Sequence, residues 1–371
     1  MPKIRVLVVD DAVVVRKIVT DVLAADPEIE VVGTAANGRL ALGKLALLTP
    51  DLVTLDIEMP ELDGLQTLVE IRKTHRRLPV IMFSTLTERA AAATLDALAR
   101  GASDYVTKPS NVGSVQLAQE RIRAELIPKI KALCGRKPVV PVAATRPAAA
   151  PVKAVVTPRP ALPVRLDVLA IGVSTGGPNA LAEIIPALPA EYPLPVVIVQ
   201  HMPPLFTRFL AERLSSISAL TVREGEDGAV LEPGTVWVAP GNYHMTLRRD
   251  ADRIRLALNQ EPHENSCRPA VDPLFRSVAE VYGNRALGLV LTGMGHDGLA
   301  GAEVMRQAGG TILAQDEATA VVWGMPGAVV SAGLADLVLP LDQVATELVL
   351  RAQTGRLAKL PAARPSSSLA C

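Results

Sequence analysis

Ser174 lies in Gly172-Val173-Ser174-Thr175-Gly176, the GxSxG spacing in which glycines let a strand turn sharply into a helix and leave the serine hydroxyl exposed. The β-branched run DVLAIG precedes it, and Pro178, a good first-turn helix residue, follows. A helix N-terminus favours developing negative charge, so this turn suits a serine nucleophile; on the motif alone, a loop cradling a phosphate or dinucleotide fits equally well. Partners decide between them, because a serine hydroxyl is a poor nucleophile until a histidine takes its proton and a carboxylate orients that histidine. Of the five histidines, His75 falls in the N-terminal half, His244 in a β-rich stretch and His263 in a polar loop. His201 directly follows PVVIVQ, and His296-Asp297 follow LGLVLT, at the same C-terminal strand edge as Ser174. Asp297 is a fitting orienter, and Met294, between two glycines, can offer a backbone N–H to an oxyanion. His296, one residue before the carboxylate, would point elsewhere. Taken singly, His201 fits a packing role and Asp297 a helix cap; together with Ser174 they form a hydrolytic set.

A second group lies nearer the N-terminus. Asp10 and Asp11 end the first apolar run and Asp56 ends the third, LVTLDI. Adjacent strand ends of an open parallel sheet meet in a crevice, so three carboxylates would share one space. Their mutual repulsion calls for a cation, and an all-oxygen donor set suits Mg²⁺. Ser84 after PVIMFS and Lys108 in DYVTKPS bring a hydroxyl and an ammonium to the same edge, as binders of phosphoryl oxygens.

The elements that must hold these residues read clearly. From Ile4 to about Leu133, five apolar runs alternate with helical stretches, which predicts a five-stranded parallel, doubly wound sheet. A second α/β region, mostly parallel and doubly wound, spans 166–356, with a β-rich insertion around YHMTLRRDADRIRLAL. Between them, 134–165 reads as a semi-rigid linker: its stretch 136–165 holds seven Pro, seven Ala, seven Val and six Lys or Arg, without an acid or aromatic residue. Residues 357–371, with PAARPSSS, read as a disordered tail. At 371 residues, two domains are the default expectation.

Lys+Arg and Asp+Glu both number 38, which argues against the basic surface of a nucleic-acid binder. Cys134, Cys267 and Cys371 show neither metal nor disulfide spacing, a pattern that suits a reducing cytoplasm. No apolar run reaches the ~20 residues needed to cross a bilayer, and membrane insertion is not expected. Cys267 reads as structural, since nothing beside it supplies a clear base.

VVDDA, LDIEMPELDGL, FSTLTE and DYVTKP together resemble a response-regulator receiver domain. The resemblance implies that Asp56 accepts a phosphoryl group from a histidine kinase and that Mg²⁺ is held by Asp10, Asp11, Asp56 and the Glu58 carbonyl. It also implies that Ser84 and Lys108 sense the phosphate, that Tyr105 is the rotating aromatic, and that Lys108-Pro109 is a candidate cis peptide. IGVSTGGP, VIVQHMPPLFTRFLAERL, VAPGNYHMTL, LVLTGMGHDG and QDEATAVVWGMPGAV resemble the chemotaxis protein-glutamate methylesterase domain of response regulators, often called CheB. That likeness implies Ser174 as nucleophile, His201 as base and acid, Asp297 as orienter and the Met294 amide as oxyanion donor, with no cofactor at the esterase site. The expected activity is hydrolysis of glutamate γ-methyl esters on methyl-accepting chemoreceptors, with deamidation of receptor glutamines, switched on by phosphorylation. The alternative is a phospho-dependent binding regulator without catalysis. Cys267 departs from the polar residue expected in SCRPAVDPLF.

Overall fold

The computed structural model describes residues 2–108, 114–135 and 165–354. Pro109, most of the 134–165 linker and the 357–371 tail lie outside them, so the expectations for the Lys108-Pro109 bond, the linker and the tail are not addressed.

The first sheet is built from β1 (Ile4–Val9), β2 (Ile29–Ala35), β3 (Leu52–Asp56), β4 (Val80–Ser84) and β5 (Asp104–Thr107), alternating with α1 (Val13–Ala24), α2 (Gly38–Leu48), α3 (Gly64–Thr74), α4 (Glu88–Ala99) and α5 (Val115–Leu133). All pairings are parallel in the order β2-β1-β3-β4-β5. β3 and β4 are buried at every residue, the continuous apolar pattern that helices on both faces require. The strand order reverses between β1 and β3, so their C-terminal ends border the crevice, as the acids after both runs predict.

The second sheet runs β14-β13-β12-β6-β7-β9-β8, also parallel throughout. Its strands are β6 (Val168–Val173), β7 (Val196–Gln200), β8 (Thr221–Glu224), β9 (Thr235–Val238), β12 (Ala286–Val290), β13 (Thr311–Gln315) and β14 (Leu337–Leu339). The helices are α6 (Gly177–Ile184), α7 (Phe206–Ile217), α8 (Val271–Tyr282), α9 (Leu299–Gln307), α10 (Met325–Ser331) and α11 (Leu341–Gln353). The β-rich insertion is one antiparallel hairpin, β10 (His244–Asp250) and β11 (Arg253–Asn259). From β6 the chain winds outward through β7 and returns to β12 on the other side, so the switch point falls at β6. β8 and α10 were not legible in sequence. β8 is a four-residue edge strand that buries only Val222, and α10 is a seven-residue helix whose first turn holds Pro326 and Gly327, residues of poor helix propensity held by packing.

The two sheets share an apolar contact. α4 lies against α7, with the Tyr105 ring stacked on Phe206 at 4.9 Å between centroids and 8° between planes. At the rim, Arg208 Nη2 pairs with Glu88 Oε1 at 2.7 Å, and Arg213 Nη1 donates to the Leu95 carbonyl at 3.3 Å. Lys129 Nζ sits 5.2 Å from the Tyr105 ring centroid and donates to the Tyr105 carbonyl at 2.7 Å.

Helix α8 packs on β6 so closely that a Cβ on Gly172 would come within 2.5 and 2.9 Å of the Val271 methyls. Gly172→Ala should therefore destabilise the fold by about 2 kcal/mol, as overpacked cores do. Thermal unfolding of the full chain measures it; an unchanged midpoint would mean that this contact yields freely.

Candidate functional site

In the first sheet, Asp10, Asp11 and Asp56 bring carboxylate oxygens within 4.8 Å of one another. Asp10 and Asp56 are buried and Asp11 is exposed. Lys108 Nζ lies 2.8 Å from Asp10 Oδ2 and 2.7 Å from Asp56 Oδ2. Burial pushes the Asp56 carboxyl up to about 6; the Asp10 charge adds to this, and Lys108 opposes it. Three carboxylates facing one ammonium leave surplus negative charge on oxygen donors, a set that fits a hard divalent cation. Glu58 exposes its side chain and turns its N–H toward Asp56 Oδ1 at 3.4 Å, so any contribution to the crevice comes from its backbone. Ser84 ends the expected strand, but its hydroxyl faces α4, 2.8 Å from Thr94 Oγ1 and 3.3 Å from the Ala90 carbonyl. Tyr105 is likewise turned away from the crevice, onto Phe206.

In the second sheet, β6 and β7 pair in register up to Val173 and Gln200, so the next residues, Ser174 and His201, leave neighbouring strand ends together. Ser174 is half-buried between buried neighbours, and its N–H donates to the Thr292 carbonyl at 3.0 Å. The turn closes through Gly177 N–H on the Ser174 carbonyl at 2.8 Å, with Gly176 at φ 79° capping α6. Gly293 abuts it, since a Cβ there would lie 2.9 Å from Ser174 Cβ, which brings the Met294 segment alongside.

His201 Nε2 donates to Asp297 Oδ2 at 2.7 Å. The shared proton occupies Nε2, leaving Nδ1 as the basic nitrogen when the ring is neutral. Asp297 is buried, and its two oxygens also accept from Val271 N–H (2.6 Å), Asp272 N–H (3.1 Å), Gly298 N–H (3.0 Å) and Asn265 Nδ2 (2.9 Å). Burial by itself would raise this carboxyl, but the His201 bond and charge with the α8 N–H groups hold it below the ordinary range. For His201, burial disfavours the cation; the bonds to Asp297 and Cys267 and their charges overcome it and raise the imidazole pKa.

Cys267, read from the sequence as having no base beside it, lies near enough to His201 to contribute to that shift. The base comes from a distant strand end, invisible in the local sequence. His296 is exposed, as expected of a side chain one residue off the carboxylate. His244 has a supporting role that the sequence did not reveal: Nδ1 accepts from Ala270 N–H (3.2 Å), so Nε2 is the donor to the Pro262 carbonyl (3.1 Å). It thereby spans the loop that carries Asn265 and Cys267. Asn265 and Asp272 were also missed; ENSCRPAVD holds no spacing signal, and only the folded loop turns them toward Asp297.

The family model described as CheB methylesterase matches residues 169–348, and that described as response regulator receiver domain matches residues 6–119. A protein-glutamate methylesterase/protein-glutamine glutaminase of Trichodesmium erythraeum is 52% identical over 95% of this chain and 99% of the relative. One of the same name from a Nocardioides species is 55% identical over 98% of this chain and 99% of the relative. Among solved structures, the Thermotoga maritima CheB methylesterase catalytic domain is 45% identical, covering 50% of this chain and 99% of that one, with a TM-score of 0.49.

The His201–Asp297 pair predicts a histidine that titrates above the usual value of roughly 6.5. Asp297→Asn should lower that midpoint by more than a unit, read from the ring-proton NMR shifts of His201; an unmoved midpoint would break the assigned pairing.

Proposed function

The chain belongs to the CheB methylesterase family, with a receiver domain ahead of the hydrolase domain, and from that premise we propose that it is a phosphorylation-activated protein-glutamate methylesterase. The observation that carries the reading is the His201–Asp297 pair, with its carboxylate buried, at the sheet edge where Ser174 leaves the neighbouring strand. Ser174 Oγ attacks the γ-carbonyl of a receptor glutamate methyl ester while Nδ1 of His201 accepts its proton. The imidazolium is stabilised by Asp297, which stays anionic. The N–H of Met294, which follows Gly293 in the segment abutting Ser174, and the N-terminal end of α6 stabilise the oxyanion. Collapse of the tetrahedral adduct expels methanol, protonated by His201, and water then attacks the acyl-enzyme with His201 as base. A receptor glutamine presents a similar carbonyl and releases ammonia by the same steps.

Control falls to the receiver domain. Asp56 takes a phosphoryl group from a histidine kinase in the cytoplasm, and Asp10, Asp11, Asp56 and the Glu58 carbonyl would hold Mg²⁺ in the same crevice. When bound, the metal neutralises charge on the transferred group. Lys108 already faces Asp56 and can pair with phosphoryl oxygens. Ser84 would exchange Thr94 and Ala90 for the phosphate, loosening α4; Tyr105, stacked on Phe206, carries the change to α7. α7 starts five residues after His201, so relieving the α4 contact alters the approach to the imidazole. Chemoreceptors are the substrate partners.

Ser174→Ala should abolish methanol release from methylated receptor membranes, and undiminished release would reject the nucleophile. A small phosphodonor should raise wild-type release and leave Asp56→Asn unchanged; equal stimulation of both would reject phosphorylation at Asp56. Because the imidazole must be neutral to act as base and its pKa is raised, release should climb with pH on the alkaline side of 6.5. A plateau already complete at pH 6 would contradict that pairing.

A further inference from the structure

Asn265 lies between two buried carboxylates. Its Nδ2 donates to Asp297 Oδ1 at 2.9 Å and to Asp272 Oδ2 at 2.8 Å, so both amide hydrogens are engaged. Asp272 in turn accepts the Gly301 N–H of α9 on Oδ1 at 2.6 Å, and its own N–H donates to Asp297. We infer that Asp272, acting through Asn265, is a positioning residue that fixes the Asp297 carboxylate against His201. The inference rests on the reading of Ser174, His201 and Asp297 as the catalytic set.

The turn holding Asn265 is built for that task. Glu264 and Cys267 exchange both backbone hydrogen bonds, at 3.1 and 2.9 Å, while Asn265 and Ser266 sit at φ 52° and 62°. Two successive left-handed residues make a primed turn, and Asn is the side chain that best tolerates its first position. Strain of this kind persists only where surroundings over-determine it. Arg276 anchors one side by a forked pair to Glu264, at 2.7 and 2.6 Å, and His244 braces the chain on either side of the turn. An amide on an exposed turn would otherwise sample several rotamers; the Asp272 oxygen selects the one that meets Asp297.

Asparagine at 272 cannot replace this carboxylate. Gly301 N–H and Asn265 Nδ2 each need a separate oxygen, and an amide supplies one. Its NH₂ would face another NH₂, so Asn265 must turn away from Asp297. Burial foremost, and then the Asp297 charge, push the Asp272 carboxyl up against the opposing Gly301 N–H, whereas Asp297 is held down. The two acids thus have separate parts, one as support and one as permanent counter-ion.

Methanol release by the full chain tests this, with Ser174→Ala as the control whose silence confirms that the assay reads the proposed hydrolysis. Asp272→Asn and Asn265→Gly, the latter free of strain at positive φ, should each lower kcat about tenfold with KM unchanged, the effect of one hydrogen bond to a charged group. In the double variant the effect of Asp272→Asn should vanish, because its route through Asn265 is already cut. Asn265→Gly should also move the ascending pH limb upward. The groups facing His201 are Asp297 and Cys267, with Asp272, Glu264 and Arg276 behind them; removing a neutral donor leaves Asp297 holding the imidazolium harder. A wild-type kcat in Asp272→Asn, an undiminished effect in the double variant, or a limb that stays in place would each overturn the inference.

Discussion

A carboxylate cut off from water remains an anion only where donors converge to replace its hydration, and the second sheet is arranged around one such group. Asp297 receives the imidazole, three backbone N–H groups and one amide N–H. Two of those backbone groups are the first residues of α8, where unpaired N–H groups and the helix dipole both favour negative charge. The site therefore needs α8 seated against β6, and the glycine at 172 is the space that permits the approach. Removing any of these parts leaves a buried charge short of partners, a cost that falls on folding and chemistry alike.

Both halves of the chain use one topological solution. A parallel sheet reverses its strand order, and the candidate site residues lie where the two directions part: β1 and β3 for Asp10 and Asp56, β6 with its neighbours for Ser174, His201 and Asp297. The electrostatics differ in kind. The first crevice crowds carboxylates around the Lys108 ammonium, and burial together with the Asp10 charge drives Asp56 upward. The second matches one carboxylate with one imidazole and saturates the rest with neutral donors, which keeps a proton poised on His201.

Residues that follow directly from a strand end were readable from the order of runs alone. Ser174, His201, Asp10 and Lys108 belong to that class and Asp56 closes its strand, because parallel topology converts sequence order into spatial adjacency; Asp297 sits further on, in the loop between β12 and α9. The parallel sheets and the intervening hairpin were legible for the same reason. What escaped depends on loop conformation. Asn265, Asp272, His244 and Cys267 meet the site only after a tight turn with two left-handed residues, and no periodicity reports such a turn. The orientation of Ser84 toward Thr94 is a rotamer choice, equally silent in sequence. β8 and α10 are short elements maintained by neighbours rather than by their own propensities.

The stacked rings of Tyr105 and Phe206 have a thermodynamic corollary. Separating α4 from α7 would wet two aromatic faces that now shield each other, and such surfaces become costlier to hydrate as water warms. The clasp between the two sheets thus has an apolar component that tightens with heat and slackens in the cold. The rim pair of Arg208 and Glu88 responds instead to salt. Temperature and ionic strength therefore bear on different parts of one joint, so how firmly the two sheets hold together is an environmental quantity.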